Sequence, residues 1–348
     1  MGKKRVLTRL AAVIAICLLV VSLTGCGRGQ EKPQAEAPEK ESEVEQEGPK
    51  FITVGGGAAA WAVMAAKIAD VISSDLQGVS ATSIPGGGIE NLKKIQTGEI
   101  QFGMTHSPLA GWAYEGKPPF DGQPITKARH VMTLYKGVFQ AVTPKNSGLT
   151  KWEDLKNKPF RVNVNKAGTW GNFGMLKVLE AYGITEQDII SAGGVVNRLG
   201  YDDATTMMQD GLLDLWVTAD GIIPHSSILE LERNPGIRFL EISKEVQDKL
   251  TATVPGVEPS TIPKGSYATL DKDIPSIEVW VQLVAGEDVP EKTVYDVTAA
   301  LAAHIEELKT LFKGAEAISL ETALAARALP VHPGAKKFYE EKGIKVEE

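Results

Sequence analysis

Two stretches of the sequence decide the fold, FITVGGGAAAW at residues 51–61 and FRVNVNKAGTW at residues 160–170. Each begins with a short run of β-formers, passes through a turn that contains glycine, and ends on a tryptophan where a helical pattern starts. In both places the chain then continues with a second strand, a second helix and a third strand. Alternating strands and helices predict parallel sheets with helices on both faces, so the repetition predicts two α/β domains.

Hydrophobic periodicity predicts the bounds of these elements. In the first repeat, strands are expected at 51–54, 79–84 and 100–104, and helices at 58–74 and 89–96. In the second repeat, strands are expected at 160–164, 195–199 and 213–217, and helices at 169–182 and 202–209.

The remaining segments connect and cover the two repeats. Residues 131–143 and 276–285 are rich in β-formers and are predicted to be strands that cross between the domains. Helices predicted at 291–312 and 320–326 are expected to pack back onto the first domain. We therefore expect one domain at 51–143 plus 265–348 and the other at 144–264.

The first residues have the pattern of a targeting signal rather than of a folded element. Lys3, Lys4, Arg5 and Arg9 precede an apolar stretch at 10–23, which is shorter than the roughly 20 residues of a membrane-spanning helix. Leu23-Thr24-Gly25-Cys26 then looks like the site at which a bacterial lipoprotein is cleaved and lipidated. We expect a signal peptide at 1–25 and a lipidated Cys26, which places the mature protein in the cell envelope, outside the cytoplasm and anchored to the membrane. The alternative is a short N-terminal membrane anchor.

Residues 26–50 read as a disordered acidic tether. They contain few apolar side chains, three prolines and seven glutamates (Glu31, Glu36, Glu39, Glu41, Glu43, Glu45 and Glu47). Such a segment buries too little apolar surface to offset the entropy cost of ordering it. With only Cys17 and Cys26 in the chain, cleavage before Cys26 leaves one thiol and therefore no disulfide.

The composition and motifs argue against several classes of function. With 37 basic and 44 acidic side chains and a net charge of −7, the chain lacks the basic excess of a nucleic-acid-binding protein. It has no cysteine or histidine spacing for a metal, no phosphate-binding loop and no nucleophile elbow. The turn at Gly55 resembles a dinucleotide-binding turn, but the second strand ends Ile84-Pro85-Gly86 where an acidic residue is needed. We expect no enzyme activity, no metal and no cofactor.

The glycine-rich turns are the predicted ligand site. Ligands of open α/β sheets bind at the carboxyl ends of strands, where helix starts offer free N–H groups and partial positive charge that suit carboxylates or phosphates. The turns that meet this description contribute the candidate contacts Gly55, Gly56, Gly57, Gly87, Gly88, Asn165, Gly168 and Thr169.

Larger side chains lie beside these turns. Trp61 and Trp170 occupy corresponding positions in the two repeats, so they are expected either to close over a ligand from both sides or to pack the domain interface. His106, Ser107 and Asp220 follow predicted strands, and Tyr135 lies on a crossover strand. These residues are candidate ligand contacts, while turn capping is the alternative for the first three. Three arginines are weaker candidates for clamping a carboxylate: Arg129, Arg161 and Arg198.

Several motifs together resemble the TAXI-type solute-binding proteins of TRAP (tripartite ATP-independent periplasmic) transporters. They are the opening strand with its three glycines, GGGIENL at 86–92, GEIQFG at 98–103, Leu134-Tyr135, STIPKGSY at 260–267 and VHPGA at 331–335. The resemblance spans residues 51–348, and the order and spacing of the motifs carry it.

This resemblance implies a two-lobed α/β fold of the periplasmic-binding-protein type II, with a hinge of crossover strands. It implies a monomeric binding protein that captures a small organic anion or amino acid, with a carboxylate on the solute, and delivers it to a TRAP membrane permease. By position, it assigns ligand contact to the first glycine turn, to Gly87, Gly88 and Asn91, to His106 and Ser107, to Tyr135, and to the turn at Gly168 and Thr169.

The chain departs from the family at three of these places. The family's first turn usually offers Thr or Ser hydroxyls, whereas here Ala58-Ala59-Ala60-Trp61 follows the glycines. Tyr135 is followed by Lys136-Gly137 instead of the family's Pro-Glu, and Thr169-Trp170-Gly171 stands where Ser-Gly-Thr is usual. Indoles thus replace hydroxyls, which suggests a ligand with more apolar or ring surface. The alternative functions are the capture subunit of an ABC importer, a ligand-sensing or adhesive surface lipoprotein, and an extracytoplasmic enzyme.

Overall fold

A computed structural model describes residues 48–347 of the chain. The predicted signal peptide, the lipidation site Cys26 and the tether as far as residue 47 lie outside the described residues. The described part begins with the first repeat, whose elements are β1 (Phe51–Gly55), α1 (Ala60–Asp75), β2 (Ser80–Ile84), α2 (Gly88–Thr97), β3 (Phe102–His106) and α3 (Ser107–Glu115).

A long strand, β4 (Ala128–Pro144), and a short 3-10 helix at Trp152–Lys156 lead into the second repeat. The elements of that repeat are β5 (Arg161–Asn163), α4 (Trp170–Ala181), α5 (Glu186–Ser191), β6 (Val195–Asn197), α6 (Tyr201–Gln209), β7 (Trp216–Gly221) and α7 (Ser226–Arg233). The remaining elements are β8 (Ile237–Phe239), α8 (Lys244–Thr253), β9 (Val257–Ile262), β10 (Ile274–Gly286), α9 (Glu291–Ala303), α10 (Ile305–Lys309), a 3-10 turn at Ala315–Ala317 and α11 (Pro333–Glu341).

The two repeats have the same strand order. In the first, β1 lies between β2 and β3, and all three run parallel. In the second, β5 pairs in parallel with β6 and forms a parallel bridge from Val162 to Leu215 at the start of β7. The repetition predicted from the sequence is therefore confirmed, and the close agreement of α1, β2, α2, α4 and β6 with prediction follows from their regular periodicity.

Strands β4 and β10, the two predicted crossover strands, pair with each other and together link the two repeats. The first part of β4 pairs with β10, which also pairs with β3, whereas the last residues of β4 pair with β7 and β8. β9 pairs with the first part of β10. Since the chain crosses between the repeats on these strands, any relative motion of the repeats must bend or twist β4 and β10.

The third strand of each repeat starts later than predicted. In the first repeat, the turn around Gly98 occupies residues up to 101, and β3 begins where Phe102 pairs with Ala285 of β10. In the second, the first residue of β7 to pair with β4 is Trp216, opposite Val142. The expectation that His106 and Asp220 follow their strands is therefore wrong, because both residues lie within them.

The C-terminal region differs most from prediction. The predicted helix at 291–312 is interrupted at His304, so it forms α9 and α10. Residues 320–326 form turns instead of a helix because the carbonyls of Ala323 and Ala325 accept hydrogen bonds from the backbone N–H and the hydroxyl of Thr133 on β4. As expected, α9 and α10 pack on α1 and the first sheet in one buried apolar cluster.

Candidate ligand-binding site

A row of aromatic rings joins the two repeats. The imidazole centroid of His106, at the end of β3, lies 4.7 Å from the indole of Trp61 on α1 and 6.0 Å from the indole of Trp170 at the start of α4. The row continues from Trp170 to Trp112 of α3 at 6.1 Å and on to Phe173 at 6.4 Å. The three predicted side chains Trp61, His106 and Trp170 are thus brought together, and all three are at least 91% buried, with exposures of 9%, 4% and 3%.

Trp170 is fixed in place. Its indole N–H donates a buried hydrogen bond of 3.0 Å to the carbonyl of Ala219 on β7. A Cβ added at Gly174, one turn along α4, would lie 3.2 Å from the Trp170 ring and 3.0 Å from the Ala219 side chain. Glycine at position 174 therefore gives the indole the room to lie flat between α4 and β7.

The first glycine turn supports Trp61 in a similar way. Gly55 and Gly56 are buried at the end of β1, and a Cβ added at Gly57 would lie 3.1 Å from the Trp61 ring. Ala59, which precedes α1, has a φ of 49°, in the left-handed region that is costly for alanine. The turn is thus held in a strained conformation directly before the helix that presents Trp61.

Gly87 and Gly88 form the start of α2 beside this row. A Cβ added at Gly88 would lie 3.5 Å from Nδ1 of His106, so the backbone of α2 approaches the imidazole closely. The residues that precede α1 and α2, Ala59 and Gly87, provide no side-chain cap. At the start of α1, the N–H groups of Trp61 and Ala62 already donate to the carbonyls of Ala58 and Ala59. The backbone N–H groups at the start of α2 are therefore the ones suited to an anionic group of a ligand.

Asn91 on α2 connects the glycine turn at residues 86–88 to the glycine turn at residues 55–57. Its amide nitrogen lies 3.0 Å from the carbonyl of Gly55, 2.9 Å from that of Gly56 and 2.8 Å from that of Met104. The side chain is completely buried. This geometry makes Asn91 a residue that positions the first glycine turn on β3, and a direct contact with ligand stays a prediction.

The glycine turn of the second repeat, at residues 165–169, is organised by three asparagines and a threonine. Asn165, with a φ of 63°, accepts from Asn163 and donates to the carbonyl of Gly171 at 3.2 Å. Asn172 donates to the carbonyl of Val164 at 2.8 Å, and the Thr169 hydroxyl caps α4 by accepting from the Asn172 backbone N–H. Gly168 and Thr169 are exposed, whereas Asn165 is buried beneath them.

Two other residues predicted to contact ligand, Ser107 and Tyr135, make contacts that hold parts of the protein together. The Ser107 hydroxyl donates to the carbonyl of Gly256 at 3.0 Å and accepts from the backbone N–H of Trp280 at 3.2 Å, so it ties α3 to the region of β9 and β10. The Tyr135 ring lies 5.0 Å from Phe312 in the apolar cluster beneath α1 and α9. Asp220 lies in β7, and its side chain is outside the described part of the structure.

A second aromatic cluster extends this region and was missed in the sequence. Tyr201 starts α6 directly after Gly200, and a Cβ added at Gly171 would lie 3.3 Å from its hydroxyl. The Tyr201 ring lies 5.4 Å from Trp216 and 5.7 Å from His225, which precedes α7 as His106 precedes α3. An aromatic or histidine residue at the start of a helix is the signal that would have identified both Tyr201 and His225.

The three arginines considered for clamping a carboxylate are paired within the chain. Arg161 makes a bidentate contact with Asp214 at 2.9 Å and 2.7 Å, and Arg198 makes one with Glu186 at 2.7 Å and 2.6 Å. Arg129 pairs with Glu287. Each guanidinium therefore already has a carboxylate partner, and none of these pairs includes a residue of the aromatic row.

A groove opens on the surface between α2 and the turn at Gly168. It has a volume of about 360 Å³ and is lined by Gly168 together with Ile89, Glu90, Lys93, Lys94, Thr97 and Glu99 of the α2 region. A second groove of about 770 Å³ lies elsewhere, between residues 48–50, the turn at 75–79 and α9. Among residues 48–347, no three metal-binding side chains cluster, and no helix combines the length and hydrophobicity needed to cross a bilayer.

Comparison with solved structures gives the class of fold. The periplasmic binding protein BugD matches with a TM-score of 0.51 at 13% identity over 86% of this chain and 100% of its own. MatC from Rhodopseudomonas palustris, solved with bound malate, matches with a TM-score of 0.51 at 15% identity over 84% of this chain and 96% of its own. The alkanesulfonate-binding protein SsuA from Xanthomonas axonopodis pv. citri, bound to MOPS, gives a TM-score of 0.44 at 17% identity, covering 76% and 78%.

The fold is therefore the α/β fold of the type II periplasmic binding proteins, as predicted. The chain belongs to the NMT1-like family, whose sequence profile matches residues 52–343.

Proposed function

We propose that this protein is the solute-binding subunit of a membrane transporter and captures a small organic anion or amino-acid-like solute between its two repeats. The observation that carries the proposal is the aromatic row, in which Trp61 and His106 of the first repeat meet Trp170 of the second. These residues lie where β1, β3 and β5 give way to helices, the usual ligand position in open α/β sheets.

The architecture supports capture by closure. A solute that touches both glycine turns stabilises the state in which the repeats are close together, and β4 and β10 provide the connections about which they move. The start of α2, which lacks a side-chain cap, would receive the solute's anionic group. MatC, a protein of the same fold, was solved with malate, which supports a small organic anion.

We further propose that the transporter is of the TRAP type and that the protein is held at the outer face of the membrane by lipid on Cys26. The motifs shared with TAXI-type proteins support the first part, and the Leu23-Thr24-Gly25-Cys26 sequence supports the second. An ABC importer subunit is the alternative for the transporter. Mass spectrometry of the mature N-terminus and uptake measured with either a sodium gradient or ATP would distinguish these possibilities.

Native mass spectrometry of the full-length chain, purified in detergent, tests the central proposal. We expect a small solute to be retained that is absent after denaturation and refolding, and deletion of the gene should abolish uptake of that solute. A retained solute that is chemically converted by the protein would indicate an enzyme. Normal uptake after deletion, with a changed response to the solute, would indicate a sensor.

A further inference from the structure

The junction between the repeats is aromatic on both sides. The first repeat presents Trp61 and His106, whose rings are 4.7 Å apart, and the second presents Trp170, whose ring lies 6.0 Å from His106. Aromatic pairs in proteins have centroid separations of about 4.5–7 Å. Trp170 is anchored by its hydrogen bond to Ala219, and close packing against Gly57 restricts Trp61. The contact most readily replaced by a ligand is therefore the one between His106 and Trp170.

The thickness of the solute decides how far this contact must open. A planar ring keeps carbon atoms of both neighbours at about 3.5–4 Å, so it requires His106 and Trp170 to move apart to only about 7–8 Å. A saturated carbon skeleton is thicker, and it also lacks the π-system that gains about 0.5–1.5 kcal/mol beyond burial against another ring. The geometry thus favours a flat ligand over an aliphatic one.

The polar surroundings indicate where an anionic group would bind. The backbone at Gly88 approaches His106, and neither α1 nor α2 has a side-chain cap. Arg129, Arg161 and Arg198 are each occupied by an acidic partner. A carboxylate attached to an inserted ring would therefore meet the backbone N–H groups at the start of α2, beside Gly88.

We infer that the solute is a flat aromatic or heteroaromatic carboxylate whose ring inserts between His106 and Trp170. This inference rests on the proposed function, and it narrows the solute from small organic anions in general to one chemical class. Trp61 then acts as a specificity residue, because its indole packs against the imidazole of His106 at 4.7 Å.

Calorimetric titration of the full-length chain with matched probes tests the inference. Benzoate and cyclohexanecarboxylate carry the same charge on rings of the same size, and only benzoate is flat, while L-glutamate represents the aliphatic class. We expect benzoate to bind about 3- to 10-fold more tightly than cyclohexanecarboxylate, as stacking on the two rings implies. L-Glutamate should bind more weakly than benzoate.

Two substitutions at Trp61 provide the matched comparison. Trp61→Leu removes the ring and should lower benzoate affinity about 3- to 10-fold while changing cyclohexanecarboxylate affinity little. Trp61→Phe keeps a flat ring and should retain most of the preference for benzoate. Thermal unfolding of each variant shows whether its fold is intact, and only folded variants are compared.

The possible results separate the two proposals. Equal or tighter binding of cyclohexanecarboxylate or L-glutamate would overturn the inference and leave the proposed function standing. A preference for benzoate that survives Trp61→Leu unchanged would overturn the role of the aromatic row. Absence of binding for every probe, together with no solute in native mass spectrometry, would overturn both the inference and the proposed function.

Discussion

The imidazole of His106 packs against the indole of Trp61 with a centroid separation of 4.7 Å and a tilt of 38°. Trp61 lies at the start of α1 and His106 directly before α3, and the imidazole of His106 also lies 6.0 Å from the indole of Trp170 in the second repeat. These two ring contacts join the glycine turn after β1, the end of β3 and the start of α4.

Replacing Trp170 separates its role in binding from its role in stability. Trp170→Phe loses the buried hydrogen bond to Ala219 and should destabilise the protein by about 1–3 kcal/mol. Trp152→Phe loses a comparable 3.0 Å bond to the carbonyl of Glu241, in contact with Tyr182 rather than with the aromatic row. Urea unfolding should show similar losses for both variants, whereas only Trp170→Phe should weaken binding of the solute found by native mass spectrometry. Equal affinities for the two variants would contradict the placement of the site.

Substitution by alanine should affect stability differently at Gly86 and Gly87, the adjacent glycines between β2 and α2. A Cβ at Gly86 would lie 2.2 Å from Oδ1 of Asn91. The amide nitrogen of Asn91 donates to three backbone carbonyls, so the side chain has little freedom to move away. A Cβ at Gly87 meets nothing within 4 Å, and its φ of 179° is an extended conformation open to any residue. We expect Gly86→Ala to cost about 2 kcal/mol and Gly87→Ala less than about 0.5 kcal/mol, measured by urea unfolding. Equal stability of the two variants would show that Asn91 is not rigid.

Removing the amide of Asn91 should destabilise the fold and disorder the first glycine turn. Asn91→Ala leaves the carbonyls of Gly55, Gly56 and Met104 without their side-chain donor, at a cost of about 3 kcal/mol. Asn157→Ala, which removes one exposed bond to the carbonyl of Glu153, is the matched control and should change stability by less than about 0.5 kcal/mol. Hydrogen exchange should report faster exchange around residues 55–57 only in Asn91→Ala. Unchanged exchange there would remove the positioning role assigned to Asn91.

Stability should decrease in acid because two histidines are buried, His130 on β4 and His332 directly before α11. Burial lowers the pKa of His130 to about 4, with a smaller contribution from Arg327, and burial lowers the pKa of His332 to about 4 as well. Since an unfolded histidine has a pKa near 6.5, the unfolded chain takes up protons first, and stability falls as the pH decreases from about 6.5 towards 4. Each histidine can account for a loss of about 3 kcal/mol over that range.

His332→Asn isolates one of these contributions. Nδ1 of His332 accepts from the Gly334 backbone N–H at the start of α11, and asparagine preserves that capping role without titrating in this range. The decrease in the free energy of unfolding between pH 7.5 and pH 5, measured in urea, should be roughly half as large in this variant. A variant with the full decrease would show that His332 is not a source of the acid sensitivity.

The fold was predictable where local patterns were strong. The repeats, the crossover strands and the helices α1, α2 and α4 have regular periodicity, so short windows of sequence are sufficient to place them. The late starts of β3 and β7 were not predictable, because a strand begins where a distant partner pairs with it: Ala285 for Phe102 and Val142 for Trp216. The turns at 320–326 have the same kind of cause, since Thr133 draws the carbonyls of Ala323 and Ala325 away from a helical pattern.

The residues of the candidate site were likewise predictable only in part. Trp61, His106 and Trp170 could be selected because each lies beside a glycine-rich turn or the end of a strand. The roles of Asn91 and Ser107 depend on carbonyls and N–H groups from other parts of the chain. Tyr201 reaches the site because its hydroxyl lies beside Gly171 of α4.

The amino-acid sequence by itself determined the strand-turn-helix repeats and the residues at their corners, because backbone preferences and hydrophobic periodicity act over a few neighbouring residues. The tertiary structure alone decided that the rings of His106 and Trp170, from distant strand-to-helix turns, contact each other. It also decided that three arginines pair with carboxylates away from the aromatic row and that Asn91 holds the first glycine turn. Those outcomes depend on close packing and pairing between segments far apart in the chain, for which no local sequence pattern exists.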